Sequence, residues 1–266
     1  MHVLRSYFHL GRLRLLVVAV ASFLPLCAAA HRPDAEPVAR WSVRPGVGYT
    51  LGALVPTPVP AELRAVDHYA PVGGLRFGAD VVYRTGTAVD CSLGAYFTDR
   101  GMDTEVRVSG YRTQVVQGSQ HLSGYFFGTN TTRARLRGLF VPVALCYPLG
   151  RCTLTGGAYL EWYSLTQFSG TASDGYLRVD RPTGDKVLIG AKNNGSASYD
   201  FGDRLNDSGF GLHLGGEYAL SKRFLLNAQL TWALTPAFDR SFTAVPTPLH
   251  PFGFTLGVNY VLSGVR

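Results

Sequence analysis

The sequence predicts an all-β chain, an 8-stranded antiparallel up-and-down transmembrane β-barrel with short periplasmic turns and long extracellular loops. Three observations predict it. Eight segments alternate with period two, which places successive side chains on opposite faces of a strand. Their apolar faces carry two rows of aromatics, while the opposite faces hold Gly, Thr, Asn, Gln and charged residues. The connections alternate long and short, as in outer-membrane barrels. A soluble barrel of the lipocalin kind would put its apolar residues inside; the polarity here is reversed for six or seven of the eight segments.

The N-terminus reads as a secretory signal over residues 1–30. Arg5, Arg12 and Arg14 form a basic start without an acidic residue, residues 15–26 are an apolar run, and Ala28, Ala29 and Ala30 offer cleavage after Ala30. That run is too short for a membrane-spanning helix of ~20 residues. Cys27 leaves open a lipoprotein reading, against which bulky Leu26 stands. Residues 31–40, polar with two prolines, read as a periplasmic lead-in, and residues 41–266 as the barrel domain. The formal charge of +7 falls to +4 when the three arginines of the signal are removed. The basic residues do not cluster, so there is no nucleic-acid footprint.

The first segment, residues 41–51, turns Trp41, Val43, Val47 and Tyr49 one way and Ser42, Arg44, Gly46 and Thr50 the other. A proline-rich loop, residues 52–72, separates it from residues 73–84, where Leu75, Phe77 and Val81 face out and Arg76, Gly78 and Asp80 face in. After a tight turn, residues 88–98 turn Leu93 and Phe97 out and Asp90, Ser92 and Tyr96 in. Residues 99–134 read as a loop, with Asp99, Arg100, Asp103, Glu105, Arg107 and Arg112 as a solvated surface. Its Tyr125, Phe126 and Phe127 read either as a partner contact or as strand continuing above the membrane.

Residues 135–147 and 151–164 form the next pair, with Glu161 facing in and Trp162 out. The longest loop, residues 165–206, is rich in Gly, Ser, Asp and Asn, with a small hairpin around residues 186–191. The clearest hairpin follows, around the polar turn Ser221, Lys222 and Arg223. Phe224, Leu226, Leu230 and Trp232 share a face opposite Asn227, Gln229 and Thr231; His213 and Glu217 face in on its first arm. Residues 251–262 close the barrel, with Phe252, Phe254, Leu256 and Tyr260 outward.

Residues 139–147 (LFVPVALCY), residues 153–160 (TLTGGAYL) and the hairpin at residues 208–224 resemble strands of the small outer-membrane β-barrel domain family common in Bacteroidota, the PorT-like group. The resemblance spans the mature chain. It implies an outer-membrane location in a Gram-negative bacterium, termini in the periplasm and delivery by the barrel-assembly machinery. Two departures stand out: the family's inward Glu and Lys are Phe140 and Cys146 here, and residues 263–266 follow the last strand.

The interior charges Arg44, Arg76, Asp80, Asp90, Glu161 and Glu217 are the candidate functional residues. An 8-stranded barrel is just wide enough for side chains to fill it, and buried charges must be paired. They read first as a structural plug, with Arg44 expected on Asp80, Asp90 or Glu217, and otherwise as a narrow ion path. His213 is a lone inward histidine, without a second ligand at metal spacing. Cys91, Cys146 and Cys152 are an odd set; Cys146 and Cys152 flank a turn but fall on opposite faces. No cofactor and no metal are expected. The leading expectation is a monomeric, non-enzymatic barrel in contact with outer-membrane lipids, with a structural or surface-interaction role through its loops and an extracellular ligand or protein unknown. A narrow porin-like channel and a lipid-modifying hydrolase are the alternatives.

Overall fold

The computed structural model describes residues 40–262 apart from 118–119, 189–195, 240, 243 and 246. The expected signal, its cleavage after Ala30, nearly all of the lead-in and residues 263–266 lie outside these. Ten strands follow in order: β1 Trp41–Pro56, β2 Leu63–Tyr83, β3 Asp90–Gln117, β4 Gln120–Leu149, β5 Cys152–Val179, β6 Lys186–Leu188, β7 Ser196–Asp200, β8 Ser208–Ala219, β9 Phe224–Ala233 and β10 Leu249–Tyr260. Eight of them close a ring in the order β1-β2-β3-β4-β5-β8-β9-β10, completed by antiparallel pairing of β1 with β10. The ring leaves no unpaired edge within the membrane, where exposed backbone groups have no water to bond. Both ends of the described barrel meet at the short-turn end, where Val43 bridges Leu262.

The predicted registers hold throughout the ring. Val47, Leu75, Leu212 and Leu214 stand exposed on the outside, while Thr50, Thr98, Thr231, Thr255 and Asn259 are buried inside. The aromatic rows form cross-strand pairs. Trp41 meets Tyr83 at 4.5 Å and Phe224 meets Tyr260 at 5.2 Å near the short turns. Phe77 meets Phe97 at 5.2 Å and Trp232 meets Phe252 at 5.9 Å at the other end. Leu214 sits midway along β8, so Leu214→Arg is expected to cost about 2–4 kcal/mol, the range for a cation at the midplane. Glu105→Arg, on the same outer face but above the band, is expected to cost about 0–1 kcal/mol. Urea titration of protein refolded into lipid vesicles distinguishes the two.

The connections on the far side depart from expectation. The segments 99–134 and 165–206 are largely strand. β3 and β4 run on as one hairpin with only residues 118 and 119 between them, and β5 continues beside β4 to Val179. β1 and β2 likewise extend into the proline-rich loop. The small hairpin expected around residues 186–191 is instead β6 pairing back onto β5, with β7 pairing lower on the same strand; residues 189–191 lie outside the described set. Neither short strand joins the ring.

The result is a blade rising above one side of the barrel. Residues 101–117 of β3 alone reach about 55 Å at ~3.3 Å per residue. Above Phe97 the outer face changes from apolar to charged. Asp99 pairs with Arg137 (2.7 Å), Asp103 with Arg133 (3.2 Å) and Asp67 with Arg107 (2.8 Å). The inner face changes the opposite way, to Met102, Val106, Val108, Phe126 and Leu177. This inversion marks where lipid ends and water begins: outside lipid, the burial rule of soluble proteins returns.

Candidate functional site: the barrel interior and its outer cap

Three layers fill the interior. In the lowest, β1 turns Arg44 across the lumen, where its Nη1 donates to Glu217 Oε2 on β8 at 2.7 Å. The other Glu217 oxygen accepts from Asn259 Nδ2 (3.1 Å), and Asn259 Oδ1 accepts from Asn227 Nδ2 (2.9 Å). Asp80 stands opposite Arg44 in the β1–β2 register and accepts from the Tyr96 hydroxyl. Its carboxylate lies over Gly94, where any side chain would collide with it. Asp90 is on the inner face at the rim, where it accepts from the Thr85 N–H at 3.3 Å and stands apart from the ion pairs.

The middle layer is a relay of donors. Arg76 lies with its guanidinium 3.9 Å from the centre of the Tyr96 ring and donates to Gln229 Oε1. Gln229 Nε2 donates to His213 Nδ1 (2.8 Å), and His213 Nε2–H donates to the Val143 carbonyl (3.3 Å). Both imidazole nitrogens are thereby engaged. A cavity of about 50 Å³ lies among Arg44, Arg76, Asp80, His213 and Glu217. It has room for a few waters at ~10–15 Å³ each. The Nε atoms of Arg44 and Arg76 are buried without a protein partner among the described residues.

The upper layer holds the most buried ion pair. Glu161, fully buried, accepts from Arg100 Nη2 at 2.5 Å, from the Thr98 hydroxyl at 3.1 Å and from the Tyr163 hydroxyl at 3.2 Å. Arg100 is the functional residue that the sequence reading placed wrongly, on a solvated loop. It is inward because β3 does not stop at Thr98: the alternation Asp90, Ser92, Gly94, Tyr96, Thr98 simply continues to Arg100 and Met102. That parity was the available signal. Gly52, opposite, leaves room for the arginine stem, since a Cβ there would lie 2.7 Å from Arg100 Cβ.

Above this pair an apolar cap closes the mouth. The segment after β9 folds back so that Phe238 packs edge-on against Phe168 of β5, with ring centres 4.9 Å apart. Leu54, Met102, Leu136 and Leu205 complete that core. Asn206 N–H donates to the Ala237 carbonyl and Ala237 N–H to the Leu249 carbonyl, both at 2.7 Å, tying the cap to the barrel rim. A second, larger cavity of about 440 Å³ opens above the cap, on the inner face of the blade.

Cys146 is inward and buried beside Ser92, while Cys152 is exposed; both are free thiols. No group of three His, Cys, Asp or Glu suited to a metal occurs among the described residues.

A closed 8-stranded ring with lipid-type patterning outside and charge pairs inside defines a small outer-membrane β-barrel. The family comparison agrees. The family model described as outer membrane protein beta-barrel domain matches residues 29–239, and the chain belongs to that family. The match is to the domain family as a whole and does not distinguish the PorT-like group within it. No curated protein matches the chain in sequence. Among solved structures, the chain is similar to Ail, the attachment invasion locus protein of Yersinia pestis, at 10% identity and TM-score 0.35, over 85% of this chain and 99% of that one. It is similar to Neisserial surface protein A at 10% identity and TM-score 0.32, over 85% and 99%. The CymD monoaromatic hydrocarbon channel gives 10% identity and TM-score 0.25, over 85% and 67%.

Proposed function

We propose that the protein is a non-enzymatic outer-membrane barrel that does not conduct and acts at the cell surface through its extracellular blade. The filled interior carries this reading. The Arg100–Glu161 pair spans the lumen directly beneath an apolar cap, so an ion entering from outside meets a hydrocarbon layer and then a buried ion pair. Below it, the lumen widens only to a pocket for a few waters. The same packing supports a non-enzymatic reading: His213 spends both nitrogens on Gln229 and Val143 and has none left to activate a nucleophile. The closed ring supports a monomer, delivered by the barrel-assembly machinery like others of its architecture.

The test is single-channel conductance of refolded protein in planar bilayers, with an Arg44→Ala variant alongside. Silence is expected for both, with the variant losing its heat-resistant gel mobility at a lower temperature because Glu217 is left unpaired. Steady conductance that Arg44→Ala alters would replace this reading with a narrow channel.

A further inference from the structure

The cavity above the cap has none of the features of a leftover gap. It measures about 440 Å³, within the ~300–1,000 Å³ typical of small-molecule pockets. Its walls come from β2, β3, β4, β5 and β7, and include Val106, Val108, Phe126, Phe168, Ala172 and Tyr199. On β2, β3 and β4 the outer faces carry ion pairs, so the blade is patterned as a soluble ligand-binding sheet while the ring below is patterned for lipid. Among the described residues, no Lys, Arg or His lines the cavity. Its carboxylate, Asp200, is exposed, and Asp200 Oδ1 accepts from the Gly202 N–H at 2.9 Å. Burial pushes the Tyr111 and Tyr199 hydroxyls above the usual phenol value, so both stay neutral. The Asn130 amide stands beside the Tyr199 hydroxyl, and its Oδ1 is sealed within the wall rather than open to the cavity.

We propose that this cavity is a binding site for an uncharged, largely apolar small molecule. Among the described residues an acid has no cation to meet there and would have to shed its hydration without compensation. The site goes beyond the closed-barrel reading and stands apart from it, because the cavity lies above the cap whether or not the lumen conducts.

The probe is 3-azioctanol, a neutral photoreactive alcohol, applied to the full protein in lipid nanodiscs, with labelled positions mapped by peptide mass spectrometry. Saturable labelling of the peptides holding Phe126 and Tyr199 is expected. Octanol should compete and octanoate should not. Ala172→Trp, which fills the cavity, should remove that labelling while leaving label on lipid-facing Leu139 and Leu145 unchanged. Folding of each variant is checked by heat-dependent gel mobility, with Val106→Phe in place of Ala172→Trp should the latter fail to fold. Labelling confined to the lipid-facing residues, labelling that does not saturate, indifference to the cavity-filling variant or equal competition by octanoate would each overturn the proposal. Because the readout is positional, it is blind to conductance and fails independently of the closed-barrel reading.

Discussion

Glu161→Ala is expected to lower the unfolding free energy by about 3–5 kcal/mol, among the largest effects open to a single side chain in this protein. Glu161 is wholly buried and compensates an arginine that is equally hidden. Removing the carboxylate strands the Arg100 guanidinium, whose charge stays on in any protein environment. It also removes the acceptor shared by Thr98 and Tyr163. The loss comes from the uncompensated charge rather than from the value of the pair, and the two separate experimentally. The double variant Arg100→Met, Glu161→Leu keeps roughly the volume and removes both charges, so it should recover most of the loss; buried pairs replaced by apolar side chains are often neutral or better. Urea titration followed by tryptophan fluorescence reads this directly, since Trp162 is the next residue along β5. If the single variant is no worse than the double, the pair is hydrated and the interior is wetter than its geometry indicates.

The same pair shows what the sequence made legible and what it hid. Within the membrane every outward side chain was readable, because lipid imposes one rule on all eight strands and a slip of one residue would turn each apolar face inward. Arg44, Asp80 and Glu217 could be placed together by parity alone. Arg100 could not, because it stands among the mixed charges Asp99, Asp103, Glu105 and Arg107, which read as a solvated loop. A bilayer needs only ~9–11 residues from a strand, and β3 supplies 28. Beyond Phe97 the alternation persists with its polarity inverted: Asp99, Asp103, Glu105 and Arg107 outside, Met102, Val106 and Val108 inside. A search for apolar-out alternation reads that as loop. Gly, Ser, Asp and Asn in residues 165–206 deepen the impression, although β5 and β7 use them as ladder residues, as in the pairing of Ser173 with Ser196 and Ser169 with Asp200. The cap was illegible for another reason. Phe238 meets Phe168 across 70 positions of sequence, and no periodicity links a side chain after β9 with one in β5.

Phe168→Ala is expected to cost about 3–5 kcal/mol by the usual loss for a buried phenylalanine, but only within the cap. Phe168 is the hub of that layer, with Phe238 edge-on at 4.9 Å and the Tyr199 and Phe201 rings within 6.5 Å. Its removal leaves a cavity between β5 and the segment after β9, which is held to the rim by few backbone hydrogen bonds. The ring below has its own closed ladder and its own ion pairs, and it meets the cap only through the upper ends of its strands, at Leu54, Met102, Leu136 and Phe168. Proteins open in cooperative units, and the unit with fewer contacts opens first. Limited proteolysis of intact vesicles should therefore cut residues 234–248 much faster in the variant, while gel mobility shows the barrel still folded. Conductance should remain silent, because Arg100 and Glu161 still span the lumen beneath the loosened cap. Loss of the folded barrel together with the cap would mean that the two form one cooperative unit. An open channel in the variant would mean that the hydrocarbon layer alone holds the lumen shut, and that the ion pair below it is a path rather than a plug.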